Sequence, residues 1–343
     1  MKPFALTRAR SLDEVLRTKS TAVSDAMLLE PATGGGAIVL KAGGIDLLDL
    51  MKEQLLTPDR VVSLAGLPGM NEIREETGTL RIGALATLAQ IAGHPVVRSR
   101  FRALADAAGR SASPQIRNVA TLGGNLLQRP RCWYFRSAQH RCVRKGGGTC
   151  FAFGGENDYH AIFDHDGCAM VHASTPATAL VALDARVELR SAGGAMRRVV
   201  LEDFLLAPRR ALTRECDLRP GEVLTAVVLP APSPLTQSVH LRQGQLDSFD
   251  WPLADVAVVL TQEADGSCRK AAVVLGAAAP VPHRAAEAER LLTGRRIDAA
   301  VAADAARAAL AGAQPLSGNA YKLPIFETLV RRAVLAASPV APA

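Results

Sequence analysis

Cys132, Cys142, Cys150 and Cys168 fall within one short stretch of a chain whose remaining cysteines, Cys216 and Cys268, stand apart. Converging thiolates can hold a tetrahedral metal ion or an iron–sulfur cluster, and neighbouring cations favour their ionised form. Arg131, Arg136, Arg141, Arg144 and Lys145 would supply those cations, and Gly146-Gly147-Gly148 a turn. A solvated basic rim facing a partner is the plainer role for the same charges. The spacing Cys-x9-Cys-x7-Cys-x17-Cys matches neither zinc ribbons nor ferredoxins. From the residues alone, a metal site and a group of inert thiols stand equally open. His140, His160, His165 and His172 are further donors, although a core or solvated histidine is the commoner state. Half of the aromatic residues lie between Cys132 and Cys168, so this stretch reads as a packed unit or a contact surface.

Two glycine turns form a second candidate site. Leu40-Lys41-Ala42-Gly43-Gly44-Ile45-Asp46-Leu47 runs from an apolar strand into a helix. Glycines there let backbone N–H groups approach a diphosphate, whose charge the helix start favours. The second turn, Thr121-Leu122-Gly123-Gly124-Asn125, adds side-chain donors and acceptors. Neither has phosphate-loop or GxGxxG spacing, and a Gly-Gly pair alone is more often only a turn.

The elements that must position these residues follow from size and patterning. The 343 residues suffice for two or three domains, and 48% hydrophobic with 21% charged residues describes a soluble globular protein. Net charge is +7, but the arginines are scattered, with no basic arm or nucleic-acid motif, so an acidic protein partner is expected instead. No apolar run approaches the ~20 residues of a membrane span, and residues 1–8 lack a signal core. That predicts a cytoplasmic protein, or a periplasmic one exported with a partner.

The N-terminal part reads as a helix from Ser11, a strand Ala37–Leu40 and a helix from Leu47. Strands at Val61–Leu64 and Leu80–Ala84 follow, then a short helix capped by Thr87 and a helix over Arg98–Ala108. Ser174-Thr175-Pro176 opens a helix, Arg186–Val200 is a hairpin turning at Gly193-Gly194, and Val223–Leu229 is a strand. Ala231-Pro232-Ser233-Pro234 marks a boundary. Beyond it, strands near Val239–Arg242, Val256–Leu260 and Ala272–Leu275 precede helices at Pro282–Leu292, Ile297–Ala311 and Leu323–Ala337, the pattern of a small α+β domain. Gly34-Gly35-Gly36 is expected to be a flexible loop and Ser338–Ala343 a frayed tail.

In this order, several segments resemble the flavin-binding (medium) subunit of the xanthine dehydrogenase / carbon monoxide dehydrogenase family of molybdenum hydroxylases. They are Ala42–Leu48, Ser113-Pro114-Gln115-Ile116-Arg117-Asn118-Val119-Ala120-Thr121-Leu122-Gly123-Gly124-Asn125, Ala179–Ala185, Arg219-Pro220-Gly221-Glu222-Val223-Leu224 and Asn319-Ala320-Tyr321-Lys322-Leu323-Pro324. The resemblance implies an α+β chain: a two-part FAD-binding domain of the p-cresol methylhydroxylase (PCMH) type over 1–230, then a small C-terminal domain over 231–343. The first domain would have a lobe of about 1–55, a larger lobe of about 56–230 and a cysteine-rich insertion at 128–168. The second would carry a three-stranded antiparallel sheet with helices.

The resemblance further implies that residues 40–47 wrap the FAD diphosphate, that Thr121, Gly124 and Asn125 hold the other side of the cofactor, and that Leu224 and Arg242 lie near the flavin ring. Two positions depart from the family pattern. Ile45 stands where threonine is usual, and Ala173-Ser174-Thr175 replaces Pro-Ser-Asp, leaving Thr175 as a substitute acceptor. The cysteine segment is similar to the insertion that carries a 4Fe-4S cluster in periplasmic-type aldehyde oxidoreductases and 4-hydroxybenzoyl-CoA reductases. On that resemblance Cys132, Cys142, Cys150 and Cys168 would be the ligands.

The implied function is electron transfer within an oxidoreductase, without catalytic residues of the chain's own. Electrons would come from a 2Fe-2S small subunit beside a molybdenum-cofactor large subunit and leave from FAD to an external acceptor. An aldehyde oxidoreductase is the nearer likeness. Xanthine dehydrogenase, 4-hydroxybenzoyl-CoA reductase, a zinc-bearing structural subunit and a free-standing flavin oxidase are the alternatives.

Overall fold

The structure, a computed structural model, describes residues 1–28, 36–246 and 248–338. The expected loop at Gly34-Gly35 and the tail beyond Ser338 lie outside the described residues. Three sheets organise the rest.

The first is parallel and small: β1 (Ala5–Arg8), β2 (Ile38–Lys41) and β3 (Arg60–Ser63), in the order β1-β3-β2. Val39 and Val61 point from it into a core shared with Leu47, Leu50 and Met51 of helix Ile45–Lys52. That 0, +3, +4 spacing puts the three side chains on one helical face.

The second sheet is antiparallel: β4 (Ile73–Glu76), β5 (Thr79–Gly83), β6 (Arg186–Arg190), β7 (Met196–Val200) and β8 (Val223–Pro230), ordered β4-β5-β8-β6-β7. The hairpin turns at Gly193 and Gly194, both at φ +81, as expected. Thr87 and Gln90 close a capping box at the start of helix Leu88–Gly93. The single helix expected over Arg98–Ala108 is two, Pro95–Arg100 and Arg102–Gly109. Phe101 leaves helical dihedrals between them (φ −133, ψ 50) as its ring enters the core, where it is 1% exposed.

The third sheet comprises β9 (Thr236–Gln243), β10 (Ala254–Gln262), β11 (Cys268–Gly276) and β12 (His283–Arg284), all antiparallel. The first three are the strands expected; the two-residue β12 adds an edge. It also delays the helix expected from Pro282, which starts at Ala286, because His283 and Arg284 pair with Leu275 and Val274.

This sheet is buried on both faces. The cross-strand pairs Val256/Leu275, Val258/Val273 and Leu260/Ala271 face helices Ala286–Leu292, Ala299–Ala308 and Lys322–Ala337. The alternate residues Ala257, Ala272 and Val274 join the core of the preceding domain. Small side chains on that face let helix Thr175–Ala182 approach closely. At Gly276 a Cβ would lie 2.2 Å from the Thr178 hydroxyl and 2.4 Å from both Asp255 carboxylate oxygens.

The cysteine segment spans the two ends of the molecule. Its start buries Phe135 and Cys142 in the core of the small parallel sheet. Its end places Ile162 and Phe163 in the core of the third sheet, where Ile162 N–H and Phe163 N–H donate to Ala278 O. The Asn319–Pro324 motif fastens it. Asn319 Nδ2 donates to His160 O and Ala161 O, while buried Lys322 Nζ donates to His160 O (3.0 Å), Tyr159 O (3.3 Å) and Ala277 O (2.8 Å). Burial lowers the Lys322 pKa from 10.5 to about 7, against the pull of Asp255.

Two outcomes test this packing. Gly276→Val should cost about 1–3 kcal/mol through overpacking, read as a lower thermal midpoint; an unchanged midpoint would contradict the close approach at Thr178. Above pH ~7 the unfolded chain keeps a proton that the folded Lys322 has released. Stability should therefore climb with pH by up to about 1.4 kcal/mol per unit from this group, until the unfolded pKa is reached. Lys322→Met should remove that increment, and equal pH slopes in the two proteins would rule it out.

Candidate functional site

A cavity of about 540 Å³ opens between the first two sheets. Leu40, Ala42, Gly43, Gly44, Ile45, Asp46 and Leu47 line it from one side. Thr121, Gly124, Asn125, Thr175, Leu224 and Arg242 line it from others. Among the expected cofactor residues, Lys41 is not part of the lining; its side chain instead lies along Gly44.

The first wall ends in a helix without a side-chain cap. Gly44 holds the N-cap position at φ +86, a left-handed conformation that glycine adopts without strain. The first-turn amides of Ile45–Lys52 therefore have no intrahelical partner and front the cavity. The second wall is capped. Thr121 Oγ1 accepts from Gly124 N–H (3.2 Å), so the threonine hydroxyl and that amide already serve each other. Asn125 Oδ1 accepts from the Ser174 hydroxyl, and Ser174 caps the helix in which Thr175 is the first residue.

The two turns meet backbone to backbone. A Cβ on Gly43 would lie 2.1 Å from Val119 O, and one on Gly123 would lie 2.9 Å from Ala84 Cβ and 3.1 Å from a Leu224 methyl. Both glycines are thus required by packing around the cavity. A space of this size, a helix start with unpaired amides and mainly apolar walls fit an anionic dinucleotide.

Several lining residues were not singled out by the sequence. Ser20–Ser24 and Phe249–Pro252 lie far along the chain from either turn. The latter loop is tied by Arg242, which donates to Asp250 O (2.5 Å) and Arg110 O (2.6 Å). Trp251 stacks over the Arg131 guanidinium at 5.0 Å. Cys216, which stands apart from the clustered cysteines in sequence, also lines the cavity.

Asp46 has both carboxylate oxygens engaged. Oδ2 accepts from Arg129 N–H at 2.8 Å, and Oδ1 accepts from Arg136 at 2.6 Å and Arg131 at 2.9 Å. Asp49 accepts from the same two guanidiniums at 3.1 and 3.3 Å. Arg144, 1% exposed, pairs with Glu215 and donates to Arg214 O. Lys145 donates to the carbonyls of Tyr134 and Ser137. These charges are consequently not the solvated rim expected; only Arg141 among the five is exposed. Carboxylates of the fold neutralise Arg131, Arg136 and Arg144, and carbonyls hold Lys145.

All four clustered cysteines line a second, much smaller cavity of about 10 Å³, with Pro130, Tyr134 and Arg144 in its wall. The turn at Gly146-Gly147 folds the chain back so that Cys150 returns beside Cys142; a Cβ on Gly147 would lie 1.8 Å from Arg141 O. The Cys168 thiol donates to Cys150, which pulls Cys150 down to about 6 while Cys168 holds its proton. Burial pushes Cys132 up to about 11. Among these three thiols, burial is thus the largest influence on Cys132 alone; the mutual hydrogen bond governs Cys150 and Cys168, and of the cations Arg144 pulls Cys168 down by its charge and a hydrogen bond. Among the four histidines, His160 alone reaches a cysteine, with Nε2 3.2 Å from Cys132 Sγ; His140 pairs with Ser137 and His165 with Gln314 O. Among the described residues, no three His, Cys, Asp or Glu side chains are grouped as a single metal ion would need. Four thiols around one space suit a polynuclear cluster in kind, but the closed cavity would have to widen to receive one.

No described helix is long and apolar enough to cross a membrane. Residues 2–232 match the FAD binding domain in molybdopterin dehydrogenase, and residues 240–337 match the CO dehydrogenase flavoprotein C-terminal domain. The chain is 37% identical to the aldehyde oxidoreductase FAD-binding subunit PaoB of Escherichia coli K12, over 74% of this chain and 78% of that protein. It is 28% identical to the carbon monoxide dehydrogenase medium chain of Hydrogenophaga pseudoflava, over 92% and 94%. The solved carbon monoxide dehydrogenase of that organism superposes with a TM-score of 0.73 at 26% identity, covering 98% of each chain. Quinoline 2-oxidoreductase from Pseudomonas putida 86 gives 0.71 at 25%, again covering 98% of each. The match over residues 2–232, the 37% identity to PaoB and a fold shared along its whole length, with an uncapped helix start facing the cavity, place this chain in the family of FAD-binding subunits of molybdenum hydroxylases.

Proposed function

We propose that this chain is the electron-transfer subunit of an aldehyde oxidoreductase, holding FAD in the larger cavity and a 4Fe-4S cluster on Cys132, Cys142, Cys150 and Cys168. The observation that carries the flavin reading is the cavity between two glycine turns, fronted by the unpaired amides of helix Ile45–Lys52. The aldehyde reading is supported by the 37% identity to PaoB, and the cluster reading by the convergence of four thiols. A molybdenum-cofactor large subunit would oxidise the substrate, and a 2Fe-2S small subunit would relay electrons to this chain. The boundary between the flavin domain and the C-terminal domain would fall near residues 231–234, in keeping with the family matches over 2–232 and 240–337.

When bound, FAD supplies interconversion between two-electron and one-electron transfer. The protein's part is to bind, orient and exclude water. First-turn amides of Ile45, Asp46 and Leu47 would face the diphosphate. Leu40, Ile45 and Leu224 give the walls apolar surface, and Thr175 offers an acceptor where the family pattern has aspartate. Arg242 holds the Phe249–Pro252 loop against the rim. The cluster would supply a further one-electron site, and its four cysteines must give up the Cys168–Cys150 hydrogen bond to serve as thiolates.

Purification with the companion subunits, followed by flavin, iron, zinc and molybdenum analysis, tests the whole assignment. Gly43→Val should abolish flavin uptake, because the new side chain collides with Val119 O; full flavin absorbance in that variant would remove the assigned turn from the site. Cys132→Ser and Cys150→Ser should each lower iron per chain, and iron content equal to the unaltered protein would refute ligation by these thiols.

A further inference from the structure

We infer that Asp46 is the positioning residue of the flavin turn and that Arg136, which is not part of the cavity lining, sets flavin affinity through it. The inference rests on the flavin occupying the larger cavity. A carboxylate lining a diphosphate site is at first sight the wrong charge. Here it is turned to structural use. One oxygen accepts from Arg129 N–H at 2.8 Å, and the other from Arg136 at 2.6 Å and Arg131 at 2.9 Å. Asp49, one helical turn further, accepts from the same pair. Two carboxylates and two guanidiniums thus form a compact, charge-balanced lattice.

Its geometry joins two elements that carry different proposed centres. Asp46 and Asp49 belong to the helix whose first turn fronts the cavity. Arg131 and Arg136 flank Cys132 in sequence and belong to the cysteine segment. Arg136 also donates to Pro130 O at 2.7 Å and Arg129 O at 3.0 Å, so it holds the incoming chain in a tight coil. The side chains of Asp46 and Arg136 are each only 13% exposed. Removing either partner breaks the shortest link of the lattice and leaves the other mostly buried with a weaker set of partners, Arg136 with Asp49 alone and Asp46 with Arg131 and the Arg129 N–H, which is a costly way to disturb such a group. Order in residues 129–136 and the placement of the flavin turn are therefore one property, and by linkage each site must report the state of the other.

Asp46→Asn separates this idea from simple electrostatics. Charge alone predicts tighter flavin binding, because the variant leaves an extra positive charge beside the diphosphate. Positioning predicts weaker binding. With the full-length chain and added FAD, we expect Asp46→Asn and Arg136→Gln each to weaken binding about tenfold, and the double variant to be no weaker than the worse single one. Asp49→Asn, at a half-exposed carboxylate, should change affinity less. FAD should slow amide hydrogen exchange across residues 129–136 in the unaltered protein and fail to do so in Asp46→Asn. Flavin affinity in Asp46→Asn equal to or tighter than that of the unaltered protein, or strictly additive losses in the double variant, would overturn the inference while leaving the flavin site in place. An unaltered chain that takes up no FAD would instead overturn the cavity assignment, and this inference with it.

Discussion

The larger cavity exists because two loops touch where no side chain can intervene. Gly43 lies so close to the Val119 carbonyl that a Cβ would sit 2.1 Å from it. That single backbone contact sets the distance between the uncapped helix start and the Thr121-capped turn. The second turn is strapped in place by Leu122 N–H to Ala86 O and Gly123 N–H to Ala84 O, which fix it to the chain leaving β5. With both turns anchored, the space between them is preformed. A preformed site spares the ligand the entropy of ordering its own walls.

The cysteine segment occupies a structural position more central than that of a surface insertion. It contributes side chains to the cores beneath both the first and third sheets. Asn157 adds to the clamp made by Asn319 and Lys322, donating to Ser317 Oγ and accepting from Gly318 N–H. Most of these bonds engage main-chain atoms, so the path of the segment is held independently of many of its own side chains. Trp133, Tyr134, Tyr159 and His160 pack edge-on beside the thiols. That aromatic cover explains why the region has half of the chain's rings although the composition elsewhere is dominated by Ala, Val and Leu.

What could be read from the sequence was what short separations encode. Thr87 with Gln90, Ser174 before Pro176, and the Gly193-Gly194 turn are each complete within a few residues, and their elements stand where expected. The order of family-like segments likewise pointed to the FAD-binding fold. Contacts made across long separations were not legible. Asp46 and Arg136 are 90 residues apart, and nothing local marks either as the other's partner. The same holds for Ser20–Ser24 and Phe249–Pro252 on the cavity wall, and for β1, whose four exposed residues carry no apolar signature. The basic character of the cysteine segment was visible, but the carboxylates that absorb it lie on other elements.

A sheet covered on both sides has a consequence for how such a subunit can change over time. Because β10 and β11 bury alternate residues in opposite directions, a shift in their register would disturb two cores at once. Insertions and substitutions in this half would disturb packing least in peripheral connections, such as the Asp265-Gly266 bend and the Gly312 turn. The polypeptide has little freedom to exchange its second half for an unrelated module, and its two halves are best inherited together.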